Sequence, residues 1–79
     1  MKLTAYAAYT KTADLLKPEV EAALEALEKA IHEKIESGMF HMEYPDQLKP
    51  SVSILVRAHL KNHGYVVYWS ETKELICWE

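Results

Sequence analysis

Residues 18–37, PEVEAALEALEKAIHEKIES, are the longest periodic run in the chain and carry their own start and stop signals. Val20, Leu24, Leu27, Ile31 and Ile35 recur at spacings of four, three, four and four. At about 100° per residue they fall on one stripe, which Ala23 and Ala30 widen. Glu25, Lys29, Glu33 and Glu36 take the opposite side. Pro18 suits a first helical turn, where its missing N–H would be unpaired anyway. Glu19 and Glu21 follow at the positive end of the helix dipole. Gly38 is placed to close the helix in the left-handed conformation, with Met39 folding back onto the last apolar turn. A helix over 18–37 follows, and the rest of the chain must cover its apolar stripe.

Residues 1–17 read as an N-terminal arm, partly helical, ahead of a single domain over 18–79. Leu3, Tyr6, Ala7 and Tyr9 approach helical spacing, and Thr12 is placed to cap a short turn that stops at Lys17, the residue before proline. After Gly38 the period changes to alternation in Phe40-His41-Met42-Glu43-Tyr44, the mark of a half-buried strand, and Pro45-Asp46 ends it. Pro50 opens a second helix to about Asn62, closed by Gly64. Val52, Leu55, Val56, His59, Leu60 and His63 share one face of it, while Ile54 and Ala58 lie off that face. Residues 65–69 and 75–78 are β-branched and aromatic runs around a polar loop, hence a hairpin. If Ser70 pairs with Leu75, Val67, Trp69, Ile76 and Trp78 face the core and Val66, Tyr68 and Cys77 face away from it; a slip of one residue inverts one strand relative to the other, and the sequence leaves that register open. The expected fold is α+β: a three-stranded antiparallel sheet with both helices packed on one face, in the order arm, helix, strand, helix, hairpin.

Composition narrows the function classes. The chain of 79 residues is 49% apolar with net charge −3, so it is globular, and it has no basic run of the kind that grips a phosphate backbone. Nucleic acid is disfavoured as a partner. No stretch is long and apolar enough for a membrane span or a secretory leader, and a single cysteine, Cys77, fits a reducing cytoplasm.

Chemistry-bearing constellations are sparse. His59 and His63 stand four apart on the second helix, as in helical zinc sites, without the adjacent glutamate of the metalloprotease signature. His63 also suits the negative end of its helix, and His59 a core edge. Glu28, His32 and Glu36 share a polar helix face with nothing to complete a site. Cys77 sits between Ile76 and Trp78 in a strand, a setting that does not activate a thiol. Ser51 and Ser53 read as helix-cap residues. With two glycines in the chain, no phosphate-cradling or dinucleotide loop can form. The residues thus point away from an enzyme, with no cofactor and no metal. Tyr44, Tyr65, Tyr68, Trp69 and Trp78 collect on the sheet, and tyrosine and tryptophan give large contact area at low entropy cost. Candidate binding residues are Tyr6 and Tyr9 on the arm, Ile54, Arg57 and Lys61 on the second helix, and Tyr68 on the outer sheet face.

The segments IHEKIESG, MFHMEY, LKNHGYVVYW and ELICW, in that order, form a layout of helix, glycine, strand, helix, Gly-Tyr, hairpin and terminal Ile-x-Trp. Over residues 18–79 this resembles small uncharacterised proteins encoded by tailed bacteriophages and prophages. The resemblance implies a phage-type accessory protein acting in the bacterial cytoplasm or incorporated in a virion, and it brings no catalytic motif. The expected function is non-enzymatic: binding a host or phage protein, as a homo-oligomer. Three alternatives are open at this level: a nucleotide-sequestering protein using Arg57, Lys61 and the tyrosines, a virion component, or a metal-dependent enzyme built on His59 and His63.

Overall fold

A computed structural model describes residues 1–79. The elements are α1 (Ala5–Glu36), β1 (His41–Glu43), α2 (Pro50–Asn62), β2 (Val66–Ser70) and β3 (Lys73–Cys77). The strands form one antiparallel sheet in the order β1-β3-β2, so the last strand lies in the middle. Both helices cover the same sheet face. Leu27, Tyr44, Val52, Val56, Leu60 and Ile76 make the buried core, with Leu16, Val20, Leu24, Met42, Val67 and Trp78 packed around it. The α+β architecture expected from the sequence is the one observed.

Both helices end in the same way. The Gly38 N–H bonds the Ile35 carbonyl and the Met39 N–H reaches back to Lys34; Gly64 and Tyr65 repeat the pattern on Lys61 and Leu60. The two glycines hold φ of 76° and 88°, a conformation that a side chain disfavours.

The start of α1 differs from expectation. The helix begins at Ala5, and residues 5–17 run straight into the segment that the sequence reading begins at Pro18. Thr4 is the cap, its hydroxyl accepting the Ala7 N–H at 3.1 Å, while Thr12 donates to the Ala8 carbonyl at 2.9 Å. Pro18 therefore lies inside a helix, where it removes the bond to the Asp14 carbonyl. Asp14 and Pro18 are both exposed, so water takes the freed oxygen. Leu16 and Val20, on either side of the proline, both pack against the core and hold the backbone helical. Pro18→Ala restores the bond and is expected to stabilise the protein by about 1–3 kcal/mol in urea unfolding; no gain would mean that α1 is interrupted there.

The hairpin register also differs. Ser70 pairs with Lys73, not Leu75, and Val67 pairs with Ile76. The slip is two residues, so every side chain keeps its assigned face. A two-residue loop, Glu71-Thr72, closes the hairpin more tightly than the four-residue one expected. The tight turn places Glu71 at φ 58°, which costs a non-glycine residue roughly 1 kcal/mol. Trp69, expected in the core, points to the helix side but is 69% exposed, because the hairpin end carries it past the core.

The molecule is 51 Å long and 25 Å by 22 Å across, and its length is that of α1, about 48 Å at the helical rise. It exposes 6242 Å², against about 4,900 Å² for a compact protein of this mass. Only seven residues are buried, while large apolar side chains such as Tyr6, Leu15, Ile54 and Trp69 stand exposed.

Candidate functional site

The candidate contact residues fall into three places. On α2, one helical turn separates Ser53 from Arg57, and both face the end of β3 where Glu74 stands on the helix side of the sheet. Tyr44 lies opposite Glu74, its N–H donating to the Glu74 carbonyl at 2.8 Å. Arg57 forms a two-pronged pair with Glu74, with Nη2 donating to Oε1 at 2.6 Å and Nη1 to Oε2. Its Nε donates to Ser53 Oγ at 3.1 Å, its guanidinium lies 4.2 Å over the Tyr44 ring, and the Tyr44 hydroxyl meets Ser53 Oγ at 2.7 Å. No buried side-chain polar atom of the protein lacks a partner. The bond from Arg57 holds the Glu74 carboxyl below the ordinary carboxylate range, and the same bond raises the guanidinium. This network ties α2 and β3 to Tyr44, the residue that follows β1. Ser53 and Glu74 are the members that sequence reasoning missed. Ser53 is read there as a cap, but the cap of α2 is Lys49, without a side-chain bond. Glu74 is found only once the hairpin register is known. Arg57, engaged by Glu74, is the wrong state for a free anion site.

The second place is the end of α1. From Ala5 to about Leu15 the helix runs beyond the core, leaving Tyr6 80% exposed and Leu15 82% exposed. Tyr9 lines an apolar groove with Ala8, Ala13, Leu55 and Ile54, which is itself 60% exposed. Tyr9 and Ile54, widely separated in sequence, thus share one face. Residues 1–17 hold Lys2, Lys11 and Lys17 against Asp14, a balance of +2, while the total of −3 leaves −5 for the remainder. The overhang itself is balanced, Lys11 against Asp14, and is flanked by Lys2 and Lys17 on an otherwise acidic protein.

The third place is the sheet margin away from β1. Lys61 is exposed beside Tyr65, Val66 and Val67, and Tyr68 lies on the uncovered sheet face with Val66, Leu75 and Cys77.

The histidines lie elsewhere. The His59 and His63 rings stack 4.2 Å apart, 18° from parallel, and His63 Nδ1 bonds the His59 carbonyl. They rim a cleft between the helix ends whose opposite wall includes Glu28 and His32. No three His, Cys, Asp or Glu side chains come close enough together to hold a metal ion. No helix is long and apolar enough to cross a membrane. Comparison with protein-family models, with curated proteins and with solved structures finds no match for this chain.

Proposed function

We propose that this chain is a non-enzymatic accessory protein of the phage type that works by binding another protein, as a homo-oligomer, in the bacterial cytoplasm or in a virion. The observation that carries the reading is the α1 overhang. It displays Tyr6, Tyr9 and Ala13 beside Ile54, an apolar face that nothing in the chain covers. A helix of three turns gains little stability in water from its own backbone, so such a face is useful mainly when another surface packs on it. The molecule has about 1,300 Å² of surface beyond that of a compact protein of its size, and a standard interface takes roughly 800 Å² from each partner. Lys2 and Lys17, which flank the overhang, suit a partner helix whose apolar stripe is flanked by acidic residues.

The test compares wild type with a Tyr6→Glu, Tyr9→Glu double variant. Both tyrosines lie outside the core, so unfolding free energy is expected to stay within about 0.5 kcal/mol. A protein retained from bacterial lysate by wild type should be lost by the variant, and that protein's acidic amphipathic helix, as a free peptide, should compete for binding. Equal retention by the variant sinks the reading.

A further inference from the structure

The two edges of the sheet are built differently. On the β1 side the strand has three residues, and Glu43 is paired with Lys73 at 3.0 Å, so charge guards that edge. On the other side β2 reads Val-Val-Tyr-Trp-Ser: five residues with no charge and no proline. It has none of the devices by which proteins keep an edge from pairing.

The ladder shows which groups of β2 are free. The Tyr44 N–H bonds the Glu74 carbonyl and the Trp78 N–H bonds the Phe40 carbonyl, so residues 74, 76 and 78 of the last strand turn their backbone groups toward β1. Residues 73, 75 and 77 therefore turn toward β2 and bond Ser70, Tyr68 and Val66. Val67 and Trp69 are left pointing outward, with two N–H and two C=O groups in the spacing of an antiparallel partner.

We propose that β2 is the contact through which two copies of this chain pair about a two-fold axis at Tyr68, joining their sheets into one of six strands. This locates the self-association contained in the proposed function and rests on it. Centring on Tyr68 sets Val67 against Trp69 of the second copy and the reverse, so all four outward groups of each copy are bonded. Registers centred on Val67 or Trp69 leave some unbonded. On the helix side, Trp69 gains the second copy's Val67 as cover; on the outer side, the two Tyr68 rings meet. Trp69 is 69% exposed, Val66 57% and Tyr68 40% in the single chain, so each has area to lose.

Charge selects the same arrangement. Lys61 lies beside Tyr65 and Val66, and in this register Tyr65 stands opposite Glu71 of the second copy. Neither Lys61 nor Glu71 belongs to any of the four ion pairs within the chain. Two Lys61–Glu71 pairs form across the axis. Glu71 also occupies a turn position, φ 58°, where glycine would sit without strain.

The experiment is native mass spectrometry with sedimentation over a dilution series, on wild type and three variants. Wild type is expected to reach twice 9.1 kDa. Trp69→Lys should weaken the dimer at least about 10-fold, and Lys61→Glu should weaken it roughly 3- to 10-fold by setting glutamates against each other. Adding Glu71→Lys to Lys61→Glu should restore the affinity, which a merely damaged fold would not do. Circular dichroism confirms that each variant is folded. A wild type monomeric at every concentration overturns both self-association and this contact. An oligomer whose affinity ignores Trp69→Lys and the charge swap overturns this contact alone and moves the self-association to the α1 overhang.

Discussion

Ile76→Ala is expected to cost about 3–4 kcal/mol and to lower the melting temperature by roughly 15 °C. Ile76 is fully buried at the middle of the central strand, opposite Met42 on one side and Val67 on the other. It lies in the same core as Val56 on α2, also fully buried, and Leu27 on α1. Removing three carbons there leaves a cavity bounded by the sheet and both helices, which cannot collapse without moving a helix. The loss is severe because so little else is buried. A domain of this length has on the order of 4–12 kcal/mol in total. Ile76→Val, which keeps the branch at Cβ, should cost about 1 kcal/mol and serves as the control. Urea unfolding followed by circular dichroism reads both. A cost below about 1 kcal/mol for the alanine variant would show that β3 is not the centre of the sheet.

Arg57→Met is expected to be the next most damaging change, at about 2–3 kcal/mol. It removes the guanidinium while keeping much of the apolar stem, so the loss reports on the pair. Glu74 has 14% side-chain exposure and would be left charged with its main partner gone; the 40% exposure of Arg57 keeps the figure below that of a fully buried pair. The same pair sets a pH dependence. The folded Glu74 carboxyl lies below its ordinary value of 4.5 because Arg57 donates to it. Its share of the stability is therefore complete above the unfolded value and is lost as pH falls through the lowered folded value. Unfolding free energy measured from pH 6 downward should fall more steeply for wild type than for Glu74→Gln, whose amide does not titrate in that range. Parallel curves would mean that the pair does not form in solution.

Much of the fold was legible because local chemistry and burial agree along most of the chain. The 3.6-residue period over 18–37, the glycines after each helix and the alternation in residues 40–44 each name one element without reference to the others. The candidate site was legible only in part. Arg57 stood out as a cation near aromatic residues, Tyr6 and Tyr9 as candidate contacts on the arm, Ile54 as a residue off the main helix face and Tyr68 as one on the outer sheet face. All four apolar residues are exposed, and sequence spacing held no sign that Tyr9 and Ile54 line one groove. Nor did it show that Arg57 belongs to Glu74, because that pairing depends on a hairpin register that two loop lengths satisfy equally on face parity.

Residue types by themselves determined the elements, their apolar faces and the two helix stops, since period, proline and glycine act over a few neighbouring residues. Three features were decided only by tertiary structure. The helix passes through Pro18 because Leu16 and Val20 pack on the core while the freed Asp14 carbonyl is solvated. The strand order places β3 between β1 and β2, which leaves Val-Val-Tyr-Trp-Ser as a bare edge. The tight Glu71-Thr72 turn carries Trp69 beyond the cover of α2. The first two outcomes depend on contacts between residues far apart in the chain, and the third on a hairpin register that face parity alone leaves open.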